Sequence, residues 1–110
     1  MATVSRKKPF VLSYARLVME HLSSIGAKYH ELIRDKIAEQ LLFEPNVETK
    51  NRKPLRQPSP FEAEWEIRFG PENRFRVLYD IDVQQWTVQI VAVGVKHGNR
   101  LLVGDEEVKL

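Results

Sequence analysis

Lys50, Arg52, Lys53 and Arg56 crowd into the short stretch "VETKNRKPLRQPSP" at residues 47–60, where Pro54 and Pro58 hold the chain near extended conformations. Cations displayed along an extended segment form a line rather than a pocket. A line suits the successive phosphates of a nucleic acid, and such binding weakens steeply with salt. The plain alternative is a solvated loop whose charges keep the chain soluble. Farther on, "AEWEIRFG" and "RFRVLYDID" alternate in period two. Trp65, Ile67, Phe69, Phe75, Val77, Tyr79 and Ile81 fall on one side; Glu64, Glu66, Arg68, Arg74, Arg76, Leu78 and Asp80 fall on the other. Arg68 and Arg76 therefore share one side of a sheet, a cationic surface able to hold a phosphate. "KHGNR" reads as a turn holding His97 and Arg100, and an imidazole is the side chain type suited to proton transfer near neutrality.

Each of these residues also has an ordinary structural reading. Arginines on the open face of an antiparallel sheet are usually solvated. Glu66 can simply pair with Arg68 or Arg76 across the hairpin, worth about 0.2–1 kcal/mol. His97 in a turn is by default a surface histidine, and His21 and His30 fall on predicted helices, where exposure or packing accounts for them. Trp65, Trp86 and Tyr29 read as core or sheet-edge residues rather than stacking platforms. No histidine–carboxylate set has metal-ligand spacing, so no metal and no cofactor is expected.

The elements that must position these groups fall into two halves. "KPFVLS" reads as a short strand from residue 8 to 13, with Pro9 tolerable near its start. "YARLVMEHLSS" places Leu17, Val18 and Leu22 at helical spacing, widened by Ala15 and Met19. In "AKYHELIRDKIAEQLLF", Tyr29, Leu32, Ile33, Ile37 and Leu41 form a stripe opposite Glu31, Arg34, Asp35 and Glu39. Pro45 stops this helix at or before Glu44. After the basic loop of 44–60 come the two alternating strands, joined by "GPEN". "WTVQIVAVGVK" follows, apolar on both faces as in a central strand, and then a short "RLLV". The expected fold class is α+β, with a helical hairpin packed on a small antiparallel sheet.

Composition narrows the setting. A chain of 110 residues is the size of one domain, 1–110, with a modest core. It has no cysteine, which removes disulfide frameworks and thiolate metal sites and fits a cytoplasmic location. No apolar run approaches the roughly 20 residues that span a bilayer, so no membrane partner is expected. The start "MATVSRKKPF" has no apolar segment behind its basic residues and does not read as a secretory signal. Net charge is only +2, yet it is uneven, with basic clusters at 6–8 and 50–56 and a locally acidic "GDEEVKL".

"VETKNRKPLR", "WEIRFGPENRFRVLYDID" and "VAVGVKHGNRLLVGDEEVKL", in this order and separation, resemble the RelE/ParE toxin superfamily of bacterial type II toxin–antitoxin systems. The resemblance spans nearly the whole chain. It implies a RelE-like fold and one of two toxic activities, ribosome-dependent endoribonuclease cleavage of mRNA that blocks translation, or inhibition of DNA gyrase. A non-toxic relative that only binds its antitoxin is the third option. For the nuclease, the resemblance implies catalytic roles for Arg68, Arg76, Lys96, His97 and Glu66. Arg76 would stabilise a phosphorane, Arg68 would bind the flanking phosphate, and Lys96 or His97 would transfer a proton. Lys50, Arg52, Lys53, Arg56, Arg74 and Arg100 would contact RNA phosphates. Two positions depart from RelE: Glu66 stands where it has a lysine, and Leu102 where it has a tyrosine. The expected partners are a cognate antitoxin, with an acidic segment that folds over the cationic face, and either mRNA on the ribosome or gyrase.

Overall fold

A computed structural model describes residues 8–108, and the alternating apolar positions between 63 and 97 fold as strands. The strands are β1 (Val11–Tyr14), β2 (Arg52–Pro54), β3 (Trp65–Phe69), β4 (Phe75–Asp82), β5 (Thr87–His97), β6 (Arg100–Val103) and β7 (Glu106–Val108). Helices α1 (Val18–Ser23) and α2 (His30–Leu41) lie between β1 and β2. The sheet runs β2-β3-β4-β5-β6-β7, antiparallel throughout, and β1 joins β5 in parallel. The α+β class and the helix-on-sheet arrangement expected from the sequence are both found.

Period two puts Ile67, Phe69, Phe75, Val77 and Tyr79 on the inner face, where Val88, Ile90 and Val93 of β5 join them. Helix α2 covers this face with Ile33, Ile37 and Leu41, fully buried side chains on one stripe. Burial at this level contributes about 1.5–3 kcal/mol per side chain. The Tyr79 hydroxyl, in the middle of the layer, donates to the Pro45 carbonyl at 2.7 Å, tying the end of the helical half to the sheet. Burial raises the Tyr79 pKa, so the phenol stays neutral. The His30 imidazole donates through Nε2 to the carbonyls of Leu22 and Ile25 at 2.7 and 2.8 Å, which closes the end of α1 against the start of α2.

Several expectations are corrected. Leu78, read as outward, is buried in a second cluster with Ala63, Ala92, Leu101 and Val103 on the opposite face of the sheet. Its cover comes from the segment before β3 and from the β6–β7 hairpin, both remote in sequence. Leu17 and Met19, read as part of a helical stripe, are exposed; α1 is short and buries Val18 and His21 instead. The first strand begins at Val11 rather than residue 8, and the second helix loses its first turn to a 3-10 segment, Ala27–Tyr29. Strand β2 forms inside the stretch read as a loop, and β7 forms within the acidic segment.

Strand β5 has a divided edge. β1 pairs along Thr87–Ile90 and β6 along Val95–His97, leaving a gap between them. The Val93 N–H, in that gap, donates to Nδ1 of His21 at 3.3 Å. An imidazole therefore takes the place of a strand carbonyl. Accepting through Nδ1 requires a neutral ring with its proton on Nε2. Burial lowers the His21 pKa, against the upward pull of Glu20.

Candidate nucleic-acid interface

Register decides which cations meet. Lys53 lies opposite Glu66, Arg68 opposite Arg76, Arg76 opposite Gly94, and Lys96 opposite Leu101, all on the face away from α2. Over Leu78 and Ala92 this face is roofed by the second apolar cluster; over Arg76 it is open. Gly94 makes the close approach of β6 feasible. A Cβ there would lie 2.8 Å from the Leu102 carbonyl and 2.9 Å from Val103 Cγ2, so only glycine lets β6 fold so close.

Two adjoining hollows occupy the open part. One, about 390 Å³, is lined by Glu72, Asn73, Arg74, Arg76, Lys96, His97 and Gly98. The other, about 480 Å³, is walled by Lys53, Leu55, Arg56 and the Pro58–Pro60 segment, with Glu66, Arg76 and Lys96 as its floor. Arg76 and Lys96 belong to both. The hollows are thus one groove with a cationic waist, with Lys53 and Arg56 at one end and Arg74 at the other. The loops at its two ends each hold consecutive non-glycine residues in the left-handed region, Phe61 and Glu62 (φ 58 and 55) and Glu72 and Asn73 (φ 56 and 52). Each costs roughly 1 kcal/mol or more and persists because its surroundings hold it.

The Arg76 guanidinium is fixed at this waist. Its Nε donates to the Asn73 carbonyl at 3.1 Å, and Nη1 donates to Glu66 Oε1 at 3.0 Å. The pair is buried, with side chains 10% and 5% exposed. Glu66 Oε2 and Arg76 Nη2 carry no hydrogen bond among the described residues, and no fully buried polar side-chain atom there lacks a partner. Neither atom is therefore fully enclosed, and both residues line the second hollow. Arg76 and Lys96 are common to both hollows, while Glu66 lines only the second and His97, with the strand parity of Val95 rather than of Lys96, lines only the first. Among the described residues, no three His, Asp or Glu side chains converge as metal ligands.

Of the candidate residues, Glu66, Arg76, Lys96, His97, Lys53, Arg56 and Arg74 come together here. His97 ends β5 rather than sitting in a turn. Arg68 lies beside Arg76, half-buried, without lining either hollow. Arg52 points the other way. It is buried against the helical layer, donating to the carbonyls of Val47 (2.7 Å) and Gln40 (2.6 Å) and to Gln40 Oε1 (3.2 Å). The expected line of four cations is therefore split, because β2 sends Arg52 and Lys53 to opposite faces. Lys50 is exposed in the turn before β2, and Arg100 is exposed with Nε 3.7 Å from Glu107 Oε2. Leu102 pairs with Val95 and so faces away from the Lys96 side of the sheet. Sequence reading missed the Asn73 carbonyl that aims Arg76 and the Pro58–Pro60 wall. The "GPEN" turn signal pointed only to a bend there.

No helix among the described residues is long and apolar enough to cross a membrane. No family model matches the sequence, and no curated protein matches it. Among solved structures, the chain is similar to a chain of the RelBE2 toxin–antitoxin complex from Mycobacterium tuberculosis. The TM-score is 0.61 at 21% identity, covering 80% of this chain and 99% of that one. At that identity the likeness speaks to architecture, and what it shows is a RelE-like α+β fold.

Proposed function

We propose that this chain is the toxin of a type II toxin–antitoxin pair and that its groove cleaves messenger RNA on the ribosome. The observation that carries this reading is the shared waist, where Arg76 and Lys96 line both hollows while further cations lie at either end. A single RNA strand laid through the groove would place its scissile phosphate at Arg76, with the neighbouring phosphates at Lys53 and Arg56 on one side and Arg74 on the other. Glu66 Oε2 takes the proton of the 2′-hydroxyl as that oxygen attacks phosphorus. Arg76 Nη2 and Lys96 hold the charge that builds on the non-bridging oxygens. His97 gives its proton to the departing 5′-oxygen, leaving a 2′,3′-cyclic phosphate and a free 5′-hydroxyl.

The structural neighbour belongs to a toxin–antitoxin complex, and an antitoxin partner suits this groove. An acidic segment ordered on binding would neutralise the cations and fill the space the RNA needs. The test is cell-free translation with the purified chain, mapping 5′ ends on the message by primer extension. New ends that require translating ribosomes, lost in Lys96→Ala, support the reading; intact message with normal translation refutes it. The Glu66–Arg76 ion pair favours one second reading, a gyrase inhibitor without chemistry, because it offsets the Arg76 charge and leaves Lys96 to carry the cationic character of the waist. A supercoiling assay on the same protein decides between the two.

A further inference from the structure

Away from the groove, a smaller cavity of about 220 Å³ opens between α1, the Phe61 loop and the β6–β7 hairpin. Its walls are apolar, formed by Leu17, Phe61, Val103 and Val108. Two of them reach solvent to an unusual degree for large apolar side chains, Leu17 at 51% and Phe61 at 44% exposed. Carboxylates stand among these walls, Glu20 from α1 and Glu106 from β7. Glu107 takes no part, since it alternates to the other face of β7, where it lies near Arg100.

The inner surface carries a polar handle. His21 lines the cavity and is only 6% exposed, with its ring 5.8 Å from that of Phe61. Nδ1 is committed to the Val93 N–H, so the proton resides on Nε2. Nε2 makes no hydrogen bond among the described residues, and no fully buried polar side-chain atom there lacks a partner. The opposite ring edge, at Cδ2, lies beside Gly104, itself part of the cavity lining. Nε2 is therefore not fully enclosed, and it neighbours Cδ2 on the ring edge that lies against the cavity lining at Gly104.

A histidine N–H at the lining, apolar walls and carboxylates from two different elements form one recognition pattern. The donor matches a peptide carbonyl, the walls match an apolar side chain, and the carboxylates match lysine or arginine next to it. We propose that this cavity is a docking site for a peptide segment of a partner protein, one that presents an apolar side chain flanked by basic residues. The same segment is repelled by the cationic groove, which confines it to this side of the molecule. This assignment is independent of the nuclease reading, since no residue of the cavity lines the groove.

The test is a titration of the ¹⁵N-labelled full chain with a blocked peptide, Gly-Lys-Leu-Phe-Lys-Gly, followed by amide and imidazole chemical shifts. Saturable shifts at Leu17, His21, Phe61 and Gly104 are expected, with a Kd on the order of 0.1 mM. Exchanging both glutamates for glutamine (Glu20→Gln, Glu106→Gln) should weaken binding about three- to tenfold and remove most of its salt dependence. Phe61→Ala should weaken it by about tenfold. The glutamate substitutions alter exposed side chains and keep the test decisive if Phe61→Ala folds poorly. Equal binding of a peptide with glutamates in place of the lysines overturns the proposal, as do shifts centred on the groove. Concentration-dependent shifts at these residues without peptide would overturn it too, assigning the cavity to a second copy of the chain.

Discussion

Replacing Arg76 by methionine should destabilise this protein far more than an ordinary surface substitution, and removing Glu66 as well should restore most of the loss. Across 3.0 Å, at an effective dielectric constant of about 20, the pair's gross attraction is roughly 5–6 kcal/mol. Desolvating the two ions offsets most of that, so the intact pair contributes little net stability. Arg76→Met leaves the Glu66 carboxylate 95% covered without its cation and should cost about 3–5 kcal/mol. Glu66→Leu costs less, about 2–3 kcal/mol, since Arg76 retains the Asn73 carbonyl. In the double variant no buried charge remains unpaired, and stability should return to within about 1 kcal/mol of the parent. Urea denaturation of the four proteins closes the cycle. Arg76→Met should lower the midpoint by about 1–3 M, and the coupling energy should be at least about 2 kcal/mol. Two small, additive single effects, each below about 0.5 kcal/mol, would refute the reasoning. They would mean that Arg76 is hydrated and not held at the waist of the groove.

Arg52 and Lys53 should separate cleanly despite being neighbours. Arg52→Ala removes three hydrogen bonds to the helical layer and should cost about 2–4 kcal/mol in denaturation, with cleavage per folded molecule unchanged. Lys53→Ala should leave stability within about 0.5 kcal/mol while weakening RNA binding and flattening its salt dependence by about one phosphate contact. For His21, the folded pKa lies below the ordinary 6.5, so its contribution is intact above about pH 6.5. As pH falls below that value the unfolded chain takes up the proton first, and stability declines until the folded pKa is passed. Urea midpoints between about pH 7.5 and pH 5 should show this decline, and His21→Gln should flatten it. Gly94→Ala should cost about 1–3 kcal/mol in the same assay, because its Cβ meets the β6 backbone.

What the sequence revealed followed from local repetition. Trp65, Ile67 and Phe69 alternate, as do Phe75, Val77 and Tyr79, and period two places Arg68 and Arg76 together on the far face whatever lies above them. Ile33, Ile37 and Leu41 follow from the 3.6-residue period and from the stop at Pro45. Leu78 was hidden because its cover arrives from elsewhere in the chain. Strands of three residues such as β2 and β7 carry too few alternations to announce themselves, so the parity of Arg52 and Lys53 could not be assigned. His21 looked like any helical histidine, since the gap that it fills exists only once β1 and β6 have divided one edge of β5. Within the groove, the basic residue types were visible, whereas the carbonyl that aims Arg76 belongs to a turn backbone that no side-chain pattern encodes.

The divided edge of β5 also implies an order of assembly. Strands β3, β4 and β5 are joined by short turns, and their meander closes small loops. Val11, by contrast, must find Thr87 from the far side of the helical layer, the basic segment and two strands. Closing that larger loop costs about 2–3 kcal/mol more in chain entropy than closing the Asp82–Thr87 turn. The meander should therefore form first, and β1 with its helices should dock onto a preassembled sheet. In hydrogen exchange, amides of β5 bonded to β4 should open only with global unfolding, while those of β1 open earlier as a separate unit. A nascent chain that has made β5 but not yet captured β1 would carry the complete cationic groove on a half-built core.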